Sequence, residues 1–236
     1  MENYKNSCQD CALRIACFPS SVTVSELSQL DAIIEKGQII PNQSAIFHQY
    51  ETSPHIYAVR SGAVKSTISL GDKREQITDF FLPGDIIGIE NIGTDIYNNN
   101  AYATQKTSIC SISVKNLKTI SNQVHGLQEY FLQLATKQIQ NNQKNMLLLN
   151  QLSAPERVAI FLLSLAARYK AKQLSDKLIY LPMSKGDISN YLGITAETLS
   201  RVLSQLKKEQ IIAVDGRLIT ILDYVYLQNI LNNTVP

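Results

Sequence analysis

No uninterrupted apolar stretch approaches the ~20 residues that a bilayer span needs, although 44% of the 236 residues are hydrophobic. The opening MENYKNSCQD also lacks the apolar region of a secretory signal, so a cytoplasmic protein without membrane contact is expected. Charge is scarce: only 18% of residues carry it and the formal net charge is +2. That balance neither points to nucleic acid nor excludes it, because a neutral domain can dilute a basic one. Enzyme signatures are missing too, with no P-loop, no G-x-S-x-G and no H-E-x-x-H, and catalysis is not expected. The three histidines, His48, His55 and His125, form no ligand pattern and read as packing or surface residues. Cysteine is rare but clustered, since Cys8, Cys11 and Cys17 fall within ten residues and Cys110 is the fourth. A reducing compartment argues against structural disulfides, and the clustering points to a metal.

The length suits one or two domains with a substantial core. After a cysteine-rich segment, 1–19, the stretch 20–124 holds β-rich runs such as HIYAVRSGAVKSTISL (55–70) and TSICSIS (107–113). Turn signals at Gly71-Asp72, Pro83-Gly84 and Asn98-Asn99-Asn100 separate the runs, which predicts a compact antiparallel β domain. Residues 125–152 contain no proline and predict one helix of about 40 Å. Its stripe of Leu127, Phe131, Leu134, Ile139, Met146 and Leu149 is interrupted by the polar QIQNNQKN (138–145). A dimerisation helix with a weak seam is the favoured reading, ahead of a surface helix lying on its own β domain. Ser153, Pro155 and Glu156 then spell a fresh helix start, and a last domain occupies 153–236.

Within that last domain Ser184 and Asp187 form a capping box, Gly193 supplies a turn, and Thr195 can cap a second helix. At 100° per residue, Leu199, Val202, Leu203 and Leu206 share one face, whereas Glu197, Ser200, Arg201 and Ser204 share the other. The division is what a recognition helix requires. Arg201 can bind guanine O6 and N7, Glu197 can accept from cytosine N4, and Ser200 can reach a neighbouring base. Standing alone, such a helix would more often carry Glu197 and Arg201 as a solvated pair. Here a helix, a glycine turn and a following hairpin (211–222, turn at Asp215-Gly216) complete a winged helix-turn-helix, and DNA is the expected partner.

The run GDISNYLGITAETLSRVLSQLKKEQII resembles the CRP/FNR superfamily of bacterial transcription regulators, as do YAVRSGAVKS and EQITDFFLPGDIIGIENIG. The resemblance implies an α+β chain: an antiparallel β-roll of the cyclic-nucleotide-binding kind, a long dimerisation helix and a C-terminal winged helix-turn-helix. Members that bind cyclic nucleotides hold the phosphate with Gly-Glu and a later Arg-Ser/Thr-Ala, but here Gly84 precedes Asp85 and the later region reads NNNAYATQ. E-x-x-S-R, matched by Glu197, Ser200 and Arg201, is the pattern of the FNR branch and implies TTGAT-like half-sites in an inverted repeat. CQDCALRIAC is similar to that branch's cluster-binding region, with Cys110 as the distant ligand, which implies an oxygen-labile [4Fe-4S] cluster on Cys8, Cys11, Cys17 and Cys110. Spacing alone would equally admit zinc or a thiol switch, and a regulator controlled by zinc, thiol redox or another small ligand is the alternative. Related activators further imply contact with RNA polymerase near Asp72 to Arg74 and Asp79, although the residues alone read first as a solvated charged turn, and an acidic residue in mid-helix where Asn142 stands.

Overall fold

The computed structural model describes residues 7–17, 22–71, 74–122, 124 and 126–232. Asp72, His125 and the expected junction at 19/20 lie outside this set. By contacts the chain forms two compact units, Met1–Asn142 and Gln143–Pro236.

The first unit opens on a short helix, α1 (Arg14–Cys17), followed by α2 (Val24–Ile33). Thr23 starts α2 with a full capping box: its hydroxyl accepts from the Glu26 N–H at 3.3 Å and its N–H donates to Glu26 Oε2 at 2.8 Å. Strands β1 (Ile34–Ile40), β2 (Ala45–Phe47), β3 (His55–Ser61), β4 (Val64–Leu70), β5 (Arg74–Phe81) and β6 (Ile86–Ile87) come next. A 3₁₀ turn at Ile89–Asn91 leads to β7 (Asn100–Ala103), β8 (Thr107–Ser113) and α3 (Val114–Ile120). The strands make two four-stranded sheets, β1-β8-β3-β6 and β2-β7-β4-β5, antiparallel at every pairing. One core, with Phe47, Val59, Val64, Phe81, Ile87 and Tyr97, draws on both sheets, and Tyr97 stacks on Phe47 at 3.8 Å between ring centroids. A second core joins Ile56, Ile86 and Ile112 of the first sheet to Leu27 and Leu30 of α2 and to Leu117 and Ile120 of α3. The first sheet is thus covered on both faces. The sequence expectation of a purely β domain missed α2 and α3.

Helix α4 (Leu127–Gln151) runs through the division between the units. Its apolar residues separate into two stripes, not the single one read from the sequence. Leu127, Phe131 and Leu134 turn toward the second core. Leu132, Ile139 and Met146, spaced by seven, are 68%, 59% and 65% exposed.

The second unit continues through α5 (Ala154–Ala171), β9 (Leu178–Tyr180), α6 (Lys185–Leu192), α7 (Ala196–Lys208), β10 (Ile212–Asp215), β11 (Leu218–Ile221) and α8 (Tyr224–Asn232). The wing is a three-stranded sheet, β10-β11-β9, with one strand more than the expected hairpin. Asp215 still pairs with Leu218, so the turn is Gly216-Arg217, one residue later than expected. Gly216 takes φ +57°, which glycine adopts without steric cost.

Candidate cysteine site and DNA-reading surface

Strand alternation aims Cys110 away from the core between the sheets. Ile109 faces that interior, whereas Cys110 and Ile112 face the helical side. Opposite Cys110, strand β1 breaks register between Glu35 and Gln38, which places Gly37 in a bulge beside it. From the other side come Cys8, Cys11 and Cys17, with α1 placing Cys17. All four are half-buried cysteines, and all four line one cavity of about 40 Å³. Its remaining walls are mostly apolar, with Ile34, Ala58, Val59, Ile86 and Ile112, and among the described residues its charged lining is Arg14 and Arg60.

The segment is tied down at several points. The Cys8 N–H donates to Asp31 Oδ1 at 2.6 Å, and Asp31 is ion-paired with Lys36 at 2.5 Å. The Tyr130 hydroxyl donates to the Cys17 carbonyl at 3.1 Å, joining the cysteine segment directly to α4. Gly84, at φ +90°, faces α1 so closely that a Cβ there would stand 2.4 Å from Cβ of Ala16.

Burial, reinforced by Asp31, pushes the Cys8 thiol up to about 12, and burial likewise raises Cys110 against the opposing Gly37 N–H and Arg60. Partial burial also acts to raise Asp31, but Lys36 and the Cys8 N–H together hold its carboxyl below the usual range. Thiols raised in this way stay protonated at neutral pH, and a cation bound beside them would be needed to hold them as thiolates. Among the described residues, no three histidine, cysteine, aspartate or glutamate side chains stand close enough to hold a single metal ion. The thiols instead surround a volume, and soft sulfur donors in an apolar wall suit an iron–sulfur cluster.

In the second unit the Ser184 hydroxyl accepts from the Asp187 N–H at 3.0 Å, starting α6, which ends at Gly193 with φ +60°. The Thr195 hydroxyl accepts from the Thr198 N–H at 3.1 Å and starts α7. Leu199, Val202, Leu203 and Leu206 are buried, while Glu197 and Arg201 are exposed and Ser200 is half-buried on the other face. Among the described residues neither Glu197 nor Arg201 forms an ion pair, so both remain available to another molecule. Hydrogen bonds from its own N–H and from Thr195 lower the Glu197 carboxyl, keeping it an ionised acceptor.

Residues 156–230 match the Crp-like helix-turn-helix domain, and residues 38–123 match the cyclic nucleotide-binding domain. The chain is 38% identical over 220 residues to the anaerobic regulatory protein of Pasteurella multocida, covering 93% of this chain and 81% of that one. It is 36% identical over 223 residues to the fumarate and nitrate reduction regulatory protein of Vibrio cholerae, covering 94% and 89%. This chain belongs to the CRP/FNR superfamily, in its FNR branch.

Among solved structures, FixK2 from Bradyrhizobium japonicum superposes on this FNR-branch chain with a TM-score of 0.75 at 32% identity, covering 82% of this chain and 96% of that one. The expected α+β architecture and the reading as a DNA-binding transcription regulator follow from these likenesses. In this FNR-branch β-roll, the stretch that lacks the nucleotide branch's arginine is hydrogen-bonded to β4, to the 3₁₀ turn and to the loop at Gln49. Buried Asn99 donates to Ser66 Oγ and Glu90 Oε1, each at 2.6 Å, and accepts from Asn91 at 3.0 Å. Asn100 donates to Ser69 Oγ at 3.0 Å and accepts from the Gln49 N–H at 2.9 Å. Asp85 accepts from the Leu82 N–H at 2.7 Å. This network offers a phosphate no guanidinium. Among the described residues, no helix is long and apolar enough to cross a membrane.

Proposed function

We propose that this chain is an oxygen-responsive regulator that holds a [4Fe-4S] cluster on Cys8, Cys11, Cys17 and Cys110 and, under low oxygen, binds TTGAT-like inverted repeats as a homodimer. The convergence of the four thiols on one apolar cavity carries this reading. The name of the Pasteurella relative, an anaerobic regulatory protein, agrees with it. When bound, a [4Fe-4S] cluster held by these four cysteines would supply redox chemistry that responds to oxygen.

The rest is the work of this chain's own residues. Cys110 anchors one side of the site to the sheet, and Cys8, Cys11 and Cys17 gather the segment against it. Through the Tyr130 hydroxyl and the packing of Phe131 and Leu134, the gathered segment holds the first turns of α4. Fixing those turns orients the exposed stripe of Leu132, Ile139 and Met146 toward a second copy. A tenfold change in dimer affinity requires only ~1.4 kcal/mol, which a few ordered contacts supply. Each protomer then presents α7 to one half-site, with Glu197, Ser200 and Arg201 toward the bases. We assign the exposed start of β5, at Arg74, to RNA polymerase.

Anaerobic purification should give four iron and four sulfide per chain, and exposure to air should lower iron content, dimer fraction and palindrome binding together. A protein with stoichiometric zinc and no iron would overturn the cluster reading. Arg201→Ala should weaken binding by about 1–3 kcal/mol at its cognate base and relax preference there. Fluorescence titration against operators varied at each base pair reads this directly, and an unchanged base preference would remove Arg201 from the reading face.

A further inference from the structure

The Ser153 cap reads in sequence as a fresh helix start and the beginning of the last domain. In the structure, hydrogen bonds join the residues on its two sides. Gln143–Gln151 of α4 belong to the same compact unit as the helix-turn-helix, and Arg157, on the first turns of α5, sits between them. Its Nε donates to the Leu152 carbonyl at 2.8 Å and one terminal nitrogen donates to the Leu149 carbonyl at 2.9 Å. The other terminal nitrogen donates to the carbonyls of Leu192, at 2.9 Å, and Gly193, at 3.3 Å. These carbonyls lie at the ends of α4 and α6, where intrahelical donors run out and the helix dipoles are negative. Among the described residues no carboxylate pairs with Arg157, so its fork serves backbone alone.

Two further contacts run alongside. The Tyr191 hydroxyl donates to Asn145 Oδ1 at 3.1 Å. A Cβ on Gly193 would stand only 3.0 Å from Cδ2 of Leu149, so the turn lies close against α4. Met146, 65% exposed on the proposed dimer face, therefore belongs to the same body as the recognition helix.

We infer that Arg157 is a positioning residue: it fixes α7 to the last turns of α4 and so determines which spacing between half-sites the dimer accepts. The inference rests on the proposed dimeric binding of inverted repeats. One added base pair moves a half-site by about 3.4 Å and turns it by roughly 35°. A clamped pair of recognition helices cannot follow that displacement, whereas a pair released at residues 152–153 can.

The test uses full-length protein prepared without oxygen, titrated with inverted repeats of native spacing, spacing longer or shorter by one base pair, and a single half-site. Wild type should prefer one spacing by about tenfold or more. Arg157→Ala should bind all three spacings within about twofold while still favouring any repeat over the single half-site. Should the alanine variant fail to fold, Arg157→Lys keeps the charge without the fork and should reduce the preference to about threefold or less. A merely structural role would weaken every probe alike and leave the ratio between spacings intact. A folded variant with the wild-type ratio overturns the inference. Wild type that binds every repeat no better than one half-site overturns the dimeric reading first, and the positioning role with it.

Discussion

Cys110→Ser protein, purified without oxygen, is expected to lose its iron and sulfide and to bind the inverted repeat about 100-fold or more weakly than wild type. The other three cysteines occupy a single segment, and Cys110 is the one thiol supplied by the sheet. Without it nothing joins segment to sheet through sulfur, and the hold on α4 through Tyr130 and Cys17 loses its anchor. Losing simultaneous engagement of two half-sites forfeits an avidity gain of about 10²–10⁴. Serine nearly preserves the side-chain volume at a half-buried position, so the fold should persist with a nearly unchanged melting temperature. Iron analysis, sedimentation and operator titration on the same sample check the three parts. Full iron content in the serine variant would remove Cys110 from the ligand set.

Gly84→Ala should do comparable damage without touching a cysteine. The position needs φ +90°, which costs an alanine about 1–2 kcal/mol on backbone grounds alone. The added methyl would also overlap Ala16, whose Cβ would lie 2.4 Å away, and Ala16 adjoins Cys17 in α1. Relief requires α1 to move, and with it one wall of the thiol cavity. We expect the first unit to lose about 1–3 kcal/mol of stability and the anaerobic iron content to fall by more than half. Gly71→Ala is the control, since a Cβ there meets nothing within 4 Å. Wild-type melting and full iron loading of Gly84→Ala would show that α1 tolerates displacement.

What could be read in advance depended on whether local chemistry or distant packing set the answer. The capping boxes at Ser153 and Ser184, the Gly193 turn and the two faces of α7 are local devices, and each appears where its residues stand. Helix α2 was equally legible through Thr23 and Glu26, but its VSELSQLDAI buries only Leu27 and Leu30 and hides its period among β-rich neighbours. The stripes of α4 could not be separated from sequence, because Leu134 and Ile139 are alike in chemistry and differ only in what the fold places opposite them. Arg157 gave no signal at all. An arginine near the start of an amphipathic helix reads as a solvated charge until the carbonyls of α6 are brought to it. The four cysteines were conspicuous, yet their meeting at one cavity depends on the β1 bulge and on α1, neither of which spacing reveals.

The division inside α4 bears on how regulators of this kind can exchange parts. A helix that looks like one module is shared, its last turns held by the DNA-reading unit through Arg157 and Tyr191. A recombination joint at the conspicuous Ser153 cap would cut through those bonds, whereas one before Gln143, in the polar QIQNNQKN, would leave them whole. A chimera joined before Gln143 is therefore expected to carry the helix end and the winged domain as one piece, with Arg157 and Tyr191 still bonded to it.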